Sequence, residues 1–343
     1  MPNAIDLFCG CGGITQGLKA AGFRVLAGVE YSSAPATVYR LNHPEVQLFE
    51  EDITKLDIKQ VRKACGRKHI HLLAGCPPCQ GFSSIRRRNK ANPVPDPRND
   101  LTQDYLRYVE AFMPDTILFE NVPAIEQYPV FQKVRDSLTG LGYQLSYGVF
   151  DFARYNVPQR RKRFVMIGSR IGELSLGEGT DQTLTVRQAI GNLVCPENTT
   201  DSAHRIYAHN TPRITEMIHH VPHDGGSRAD LPEEYILECH KKEGIGFRDV
   251  YGRLKWDTVS ATITGGCLNP SKGRFLHPEQ DRALTVREAA LLQTFPTQYV
   301  FPSEITKTAL GLMIGNAVPP AFAQYAGERI LSALCEKRNH VDE

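Results

Sequence analysis

Short apolar runs alternate with longer amphipathic stretches through the first half of the chain, a rhythm that predicts β-α units around a mostly parallel sheet. The strand candidates are Ala4 to Phe8, Arg24 to Val29, Gln47 to Phe49, His71 to Ala74, Thr116 to Phe119, Gln144 to Val149 and Arg163 to Ile167. Past about Gly168 the rhythm breaks, and Gly, Pro, His and polar residues dominate through Asn269 without an assignable element. Helical periodicity returns from Leu284 to Phe295 and from Pro320 to Lys337, where Pro320 suits a first helical turn. One echo, "LTVRQAI" at Leu184 and "LTVREAA" at Leu284, is too short to be a repeat.

The 343 residues exceed what one ordinary domain needs, so one large domain and a smaller one are expected. No stretch approaches the roughly 18 continuous apolar residues of a membrane span. No basic segment with a cleavable apolar region precedes Ala4, so the expected location is the cytoplasm. There thiols stay reduced, and the nine cysteines are better read one by one than as a disulfide framework. A net charge of +2 is weak evidence for a nucleic-acid partner, but the basic residues cluster: Arg86, Arg87, Arg88 and Lys90, then Arg160, Arg161, Lys162 and Arg163.

"AIDLFCGCGGITQGL" reads as a strand, a loop with Gly10, Gly12 and Gly13, and a helix start, so that backbone can approach a ligand at the carboxyl edge of the sheet. Glu30 ends the next strand twenty positions beyond Gly10, where a carboxylate can accept ribose hydroxyls. Asp52 could reach an adenine amino group from the same edge, or cap a helix. The glycines lack the spaced G-x-G-x-x-G pattern of a dinucleotide site, which favours S-adenosylmethionine over NAD.

"GCPPCQGFS" holds two cysteines three positions apart. A structural zinc site wants four ligands and the chain has no second C-x-x-C, and nothing helical follows the pair as a dithiol redox site requires. No metal is expected, at this pair or at His277 and Asp281. Cys79 alone, just past a strand end and stiffened by Pro77 and Pro78, is placed like a nucleophile.

With "DLFCGCGG", "GCPPCQGFS", "FENVP", "QRRKRF" and "GNAVPP" in this order, the chain resembles the cytosine-5 DNA methyltransferases from Asp6 to about Glu328. The resemblance implies an α/β, Rossmann-like, doubly wound, mostly parallel sheet that binds S-adenosylmethionine. It implies a smaller target-recognition domain with hinge at 179–302, and a C-terminal segment that completes the catalytic domain, giving 1–178 plus 303–343. Cys79 would add to C6 of cytosine, making C5 enamine-like, and Glu120 would donate to ring N3. Arg161 and Arg163, expected on one face, would hold the base's carbonyl oxygen or a phosphate and keep the thiolate negative; Gln159 is structural support. Phe8, Gly10, Gly12 and Gly13 would surround the methionine part, Glu30 the ribose and Asp52 the adenine. Pro78 and Leu101 would wall the pocket, and Asn316 and Val318 would close it. Cys76, Cys9 and Cys11 depart from the family pattern without removing a functional group.

The partner implied is double-stranded DNA, whose target base must be rotated out of the stack. The polar segment from Gln80 to Asp100 would act as a lid, with Arg86, Arg87 and Arg88 on phosphates. Arg228, Lys241, Lys242, Arg248, Arg253, Lys272 and Arg274 are candidates for base or phosphate contact. A bacterial restriction-modification enzyme is expected, monomeric, with a cognate endonuclease acting separately. The alternatives are a tRNA cytosine-5 methyltransferase and a catalytically silent DNA-binding relative.

Overall fold

A computed structural model describes residues 1–78, 101–238 and 249–341, with side chains through 337. Its centre is a seven-stranded sheet of β1 (Asn3–Leu7), β2 (Arg24–Glu30), β3 (Gln47–Glu50), β4 (Leu72–Gly75), β5 (Thr116–Asn121), β6 (Gln144–Asp151) and β7 (Lys162–Ser169). The order is β3-β2-β1-β4-β5-β7-β6. The first five strands are parallel, and β7 runs antiparallel to both neighbours. β4 and β5 are buried throughout, as expected of central strands covered on both faces, whereas the edge strand β6 is half-buried or exposed along its length. All seven strand candidates are present, each within two residues at either end.

Because β1 to β5 are parallel, their carboxyl ends share one edge. The register sets Leu7 against Val29 and Gly75, Glu30 against Glu50, and Gly75 against Phe119. The strand order reverses at β1, the place where open α/β sheets bind ligands.

One apolar core joins the sheet to α3 (Ile58–Cys65), α4 (Leu101–Phe112) and α5 (Pro129–Gly140), through residues such as Val61, Tyr105, Val109, Phe131 and Leu138. Elsewhere α1 (Gly13–Ala20) lies against the final helix, and α2 (Ser33–Asn42) follows β2.

The chain divides into two compact units, 1–155 with 162–180 and 318–343, and 156–161 with 181–317. The second has no named strand among the described residues. It is built from short helices α6 (Val186–Ile190), α7 (Pro212–His219), α8 (Val286–Leu292) and α9 (Lys307–Asn316), with 3-10 turns between them. The "LTVR" echo has a structural counterpart: Thr185 with Gln188 and Thr285 with Glu288 form capping boxes at the starts of α6 and α8. Irregular backbone leaves carbonyls that need donors, and Arg253 supplies them. Fully buried, it donates to the carbonyls of Ile218, Val221, His277 and Gln280 and pairs with Asp281.

The chain rejoins the first unit at Val318. The reason is packing: α9 lies so close to the 264–268 segment that a Cβ at Gly315 would fall 2.0 Å from the carbonyl carbon of Thr264. The last helix, α10 (Pro320–Val341), returns to α1 in the same manner, since a Cβ on Gly17 would sit 2.3 Å from the Pro320 carbonyl oxygen and 2.5 Å from Ala323 Cβ.

Gly17→Ala is therefore expected to destabilise the protein by roughly 1–3 kcal/mol in urea unfolding, through forced separation of α1 and α10. Gly140→Ala, whose added Cβ meets nothing within 4 Å, is expected to be neutral or slightly stabilising. Equal effects at the two positions would contradict the packing argument.

Candidate active site

The loop after β1 turns sharply through left-handed backbone at Phe8 (φ 58°), Gly10 (φ 55°) and Gly12 (φ 94°). For Phe8 that conformation is strained, and it is held by the next residue, whose N–H donates to the Val29 carbonyl at 3.0 Å. Gly13 opens α1. Glu30, half-buried at the end of β2, accepts the Gly10 N–H on Oε2 at 2.9 Å and the Ser32 N–H on Oε1 at 2.7 Å, so one carboxylate fixes the loops after both strands. Burial raises its pKa, against the lowering effect of those backbone donors. Each oxygen keeps a lone pair for a hydroxyl donor. A Cβ built on Gly10 would meet no protein atom within 4 Å, so a ligand group has room against this backbone.

The helix that follows Asp52, α3, is capped by Asp57 instead, and Asp52 holds the turn before it. Its Oδ1 accepts the Thr54 N–H at 3.0 Å and the Thr54 hydroxyl at 2.8 Å, which hold its pKa below the ordinary value. Pro78 is half-buried beyond β4, while Phe8 and Leu101 pack on the sheet's main core. Val318 is buried in the first unit; Asn316 is exposed, and belongs to the second.

At the end of β5, Glu120 is 3% exposed. Its Oε1 lies 3.2 Å from Nε of Arg163, a pairing of opposite charges although the N–H is not aimed at it. Its Oε2 accepts from the Cys76 thiol at 2.7 Å. The neighbouring Asn121 donates through Nδ2 to the Pro77 carbonyl at 3.1 Å, tying the end of β5 to the segment just past β4. Cys79 itself lies outside the described residues, as do Arg86, Arg87 and Arg88.

The two arginines expected to work on one face have different surroundings. Arg161, 2% exposed, donates from Nη1 to the Ile263 carbonyl (2.9 Å) and from Nη2 to those of Gly315 (3.0 Å) and Ala317 (3.1 Å), all within the second unit. It precedes β7, whereas Arg163 lies within that strand in the first unit. The strand alternation invoked for them does not extend to Arg161, whose geometry is that of a backbone clamp. Gln159 is structural: Nε2 donates to the Leu292 carbonyl and Gln293 Oε1, and Oε1 accepts the Ile263 N–H.

Among the DNA-contact candidates, Arg253 is buried and Arg274 donates to the carbonyls of Gly225, Gly226 and Arg253, so both act inside the second unit. Lys272 is exposed and Arg228 half-buried; Lys241, Lys242 and Arg248 lie outside the described residues. His277 accepts two backbone N–H groups on Nδ1, and Asp281 pairs with Arg253 and His219.

Sequence reasoning missed two groups. Cys76 was treated as a packing residue. Asp6 is fully buried in β1, with Oδ2 accepting the Thr15 N–H (3.1 Å) and hydroxyl (2.7 Å), and that hydroxyl lies 2.8 Å from Tyr39 OH. Burial pushes its pKa up to about 7, with the Thr15 bonds opposing. The signal was a lone Asp inside an apolar strand.

A sequence profile described as the C-5 cytosine-specific DNA methylases matches residues 3–332. The type II methylase M.HgiDII of Herpetosiphon aurantiacus is 37% identical, with 97% of each chain covered. The type II methyltransferase M1.HphI of Haemophilus parahaemolyticus is 33% identical over 95% of this chain and 86% of its own. Among solved structures, a putative DNA modification methyltransferase encoded within an Escherichia coli prophage has the same fold, with TM-score 0.72, 24% identity, and 98% and 100% of the two chains covered.

Asp6 makes stability pH-dependent. Its folded pKa lies above the ordinary 3.8, so its favourable contribution is complete below about pH 4 and is lost as pH rises through about 7. Urea unfolding of the wild type and Asp6→Asn across that range should show the wild type losing stability relative to the variant as pH increases; parallel curves would contradict a neutral buried Asp6.

Proposed function

We propose that this chain, which belongs to the C-5 cytosine-specific DNA methylase family, moves a methyl group from S-adenosylmethionine to C5 of a cytosine flipped out of duplex DNA, with Cys79 as nucleophile. It is a DNA (cytosine-5)-methyltransferase, and its curated relatives are type II enzymes. The observation that carries the mechanism is the buried Glu120 at the end of β5, charge-paired with Arg163 and one residue from the Asn121 tie to the Pro77 carbonyl.

The Cys79 thiolate adds to C6, and the electron pair displaced moves toward N3, where Glu120 donates a proton or hydrogen bond. Arg163 orients that carboxyl and lies within reach of the base's carbonyl oxygen. C5 would then take up the methyl group as its bond to the donor's sulfur breaks with the electron pair left on that sulfur, lose its hydrogen as a proton to water, and let the ring expel the thiolate. The bound donor supplies an electrophilic methyl group on sulfur. Glu30 would accept its ribose hydroxyls, and the Phe8–Gly13 loop would hold its methionine part. Asp52 would meet the adenine through the carboxylate oxygen not used in its turn. Pro78, Leu101 and Val318 would wall the pocket.

Arg86, Arg87 and Arg88 hold phosphates while the base leaves the stack, a step that costs a few kcal/mol. The second unit reads the target, its exposed Lys272 touching DNA while Arg161 and Arg253 keep its irregular backbone in shape. The enzyme acts as a monomer on a short site and protects it from a separate endonuclease.

Cys79→Ser is expected to reduce methyl transfer at least about a thousandfold, while donor affinity measured by calorimetry stays near wild type. DNA carrying 5-fluorocytosine at the target should become covalently bound to the wild type in the presence of donor and remain free with the variant. Unchanged turnover by Cys79→Ser would refute the nucleophile. Glu120→Gln is expected to slow single-turnover transfer roughly a hundredfold; a normal rate would exclude its acid role.

A further inference from the structure

Among the described residues, Glu120 has two holders. Arg163 Nε stands 3.2 Å from Oε1, and the Cys76 thiol donates to Oε2 at 2.7 Å. Cys76 does not depend on that thiol for its place. Its N–H reaches the Leu7 carbonyl at 3.4 Å, and the carbonyl of the next residue is bound by Asn121. Gly75, just before it, is in register with Phe119, just before Glu120. The sulfur therefore sits beside the carboxyl because two adjacent parallel strands end together.

We propose that Cys76 is a positioning residue for methyl transfer: its thiol fixes Oε2 of Glu120 so that the carboxyl meets N3 of the flipped cytosine. This rests on the reading of Glu120 as the acid. A carboxyl held only by the guanidinium can swing about its terminal bond, and each wrong orientation is a non-productive complex. A second cation in place of the thiol would bind the carboxylate strongly and compete with N3. A thiol is a weak donor: it orders the group and yields to the substrate.

The experiment is a double-mutant cycle on single-turnover methyl transfer at saturating DNA and S-adenosylmethionine. Cys76→Ala and Cys76→Ser are each placed in the wild-type and Glu120→Gln backgrounds. Cys76→Ala is expected to lower the rate about tenfold, the low end for a hydrogen bond to a charged group, with the Kd for DNA and donor unchanged. Cys76→Ser, which keeps a donor, should recover most of the loss. In the Glu120→Gln background Cys76→Ala should change the rate less than about twofold, since the group it positions is already disabled.

A wild-type rate for Cys76→Ala would overturn the proposal, and so would an equal loss in both backgrounds. A serine variant as slow as the alanine variant would show that the donor is not what matters and overturn it too. If instead Glu120→Gln alone is as fast as wild type, the acid assignment itself fails, a result distinct from any of these.

Discussion

A carboxyl group buried at a strand end is unfavourable unless charge and hydrogen bonds meet it, and Glu120 is met from both sides. Arg163 approaches from the antiparallel neighbour β7 and Cys76 from the parallel neighbour β4. The carboxyl thus reports whether three strands end in register. Shift β4 by one residue and every side chain on it changes face, removing the thiol and the Pro77 carbonyl together.

Three carboxylates from the parallel strands, Asp6, Glu30 and Glu120, use burial differently. Among the described residues Asp6 receives donors from Thr15 alone, and it is pushed toward its neutral form. Glu30 is half-buried and takes one backbone N–H on each oxygen, so it organises two loops and still offers lone pairs outward. Glu120 has a cation beside it. The same residue chemistry yields a core group, a loop post and a carboxyl paired with a cation, because desolvation and donors are distributed differently around each.

The second unit meets another constraint. With little regular structure among its described residues, its carbonyls lack ladder partners, and buried guanidinium groups, each with five donors, serve several at once. Arg253 gathers four carbonyls and Arg161 three. Such residues look like DNA contacts in a sequence because Arg is common to both tasks; burial separates them.

Local pattern by itself determined the strand runs, the glycine turn after β1, Glu30 at the next strand end and the helices that begin near Leu284 and at Pro320, whereas the helix start at Thr185 went unread. These depend on periodicity, backbone conformation and capping over a few residues, which neighbouring positions encode directly. Only the tertiary structure decided that Arg161 clamps carbonyls 102, 154 and 156 positions away while Arg163 pairs with Glu120. It likewise decided that Cys76 meets a carboxylate 44 positions on, and that the chain rejoins the first unit at Val318. Partners so distant in sequence are chosen by strand order and close packing at glycines, and no local window contains that information.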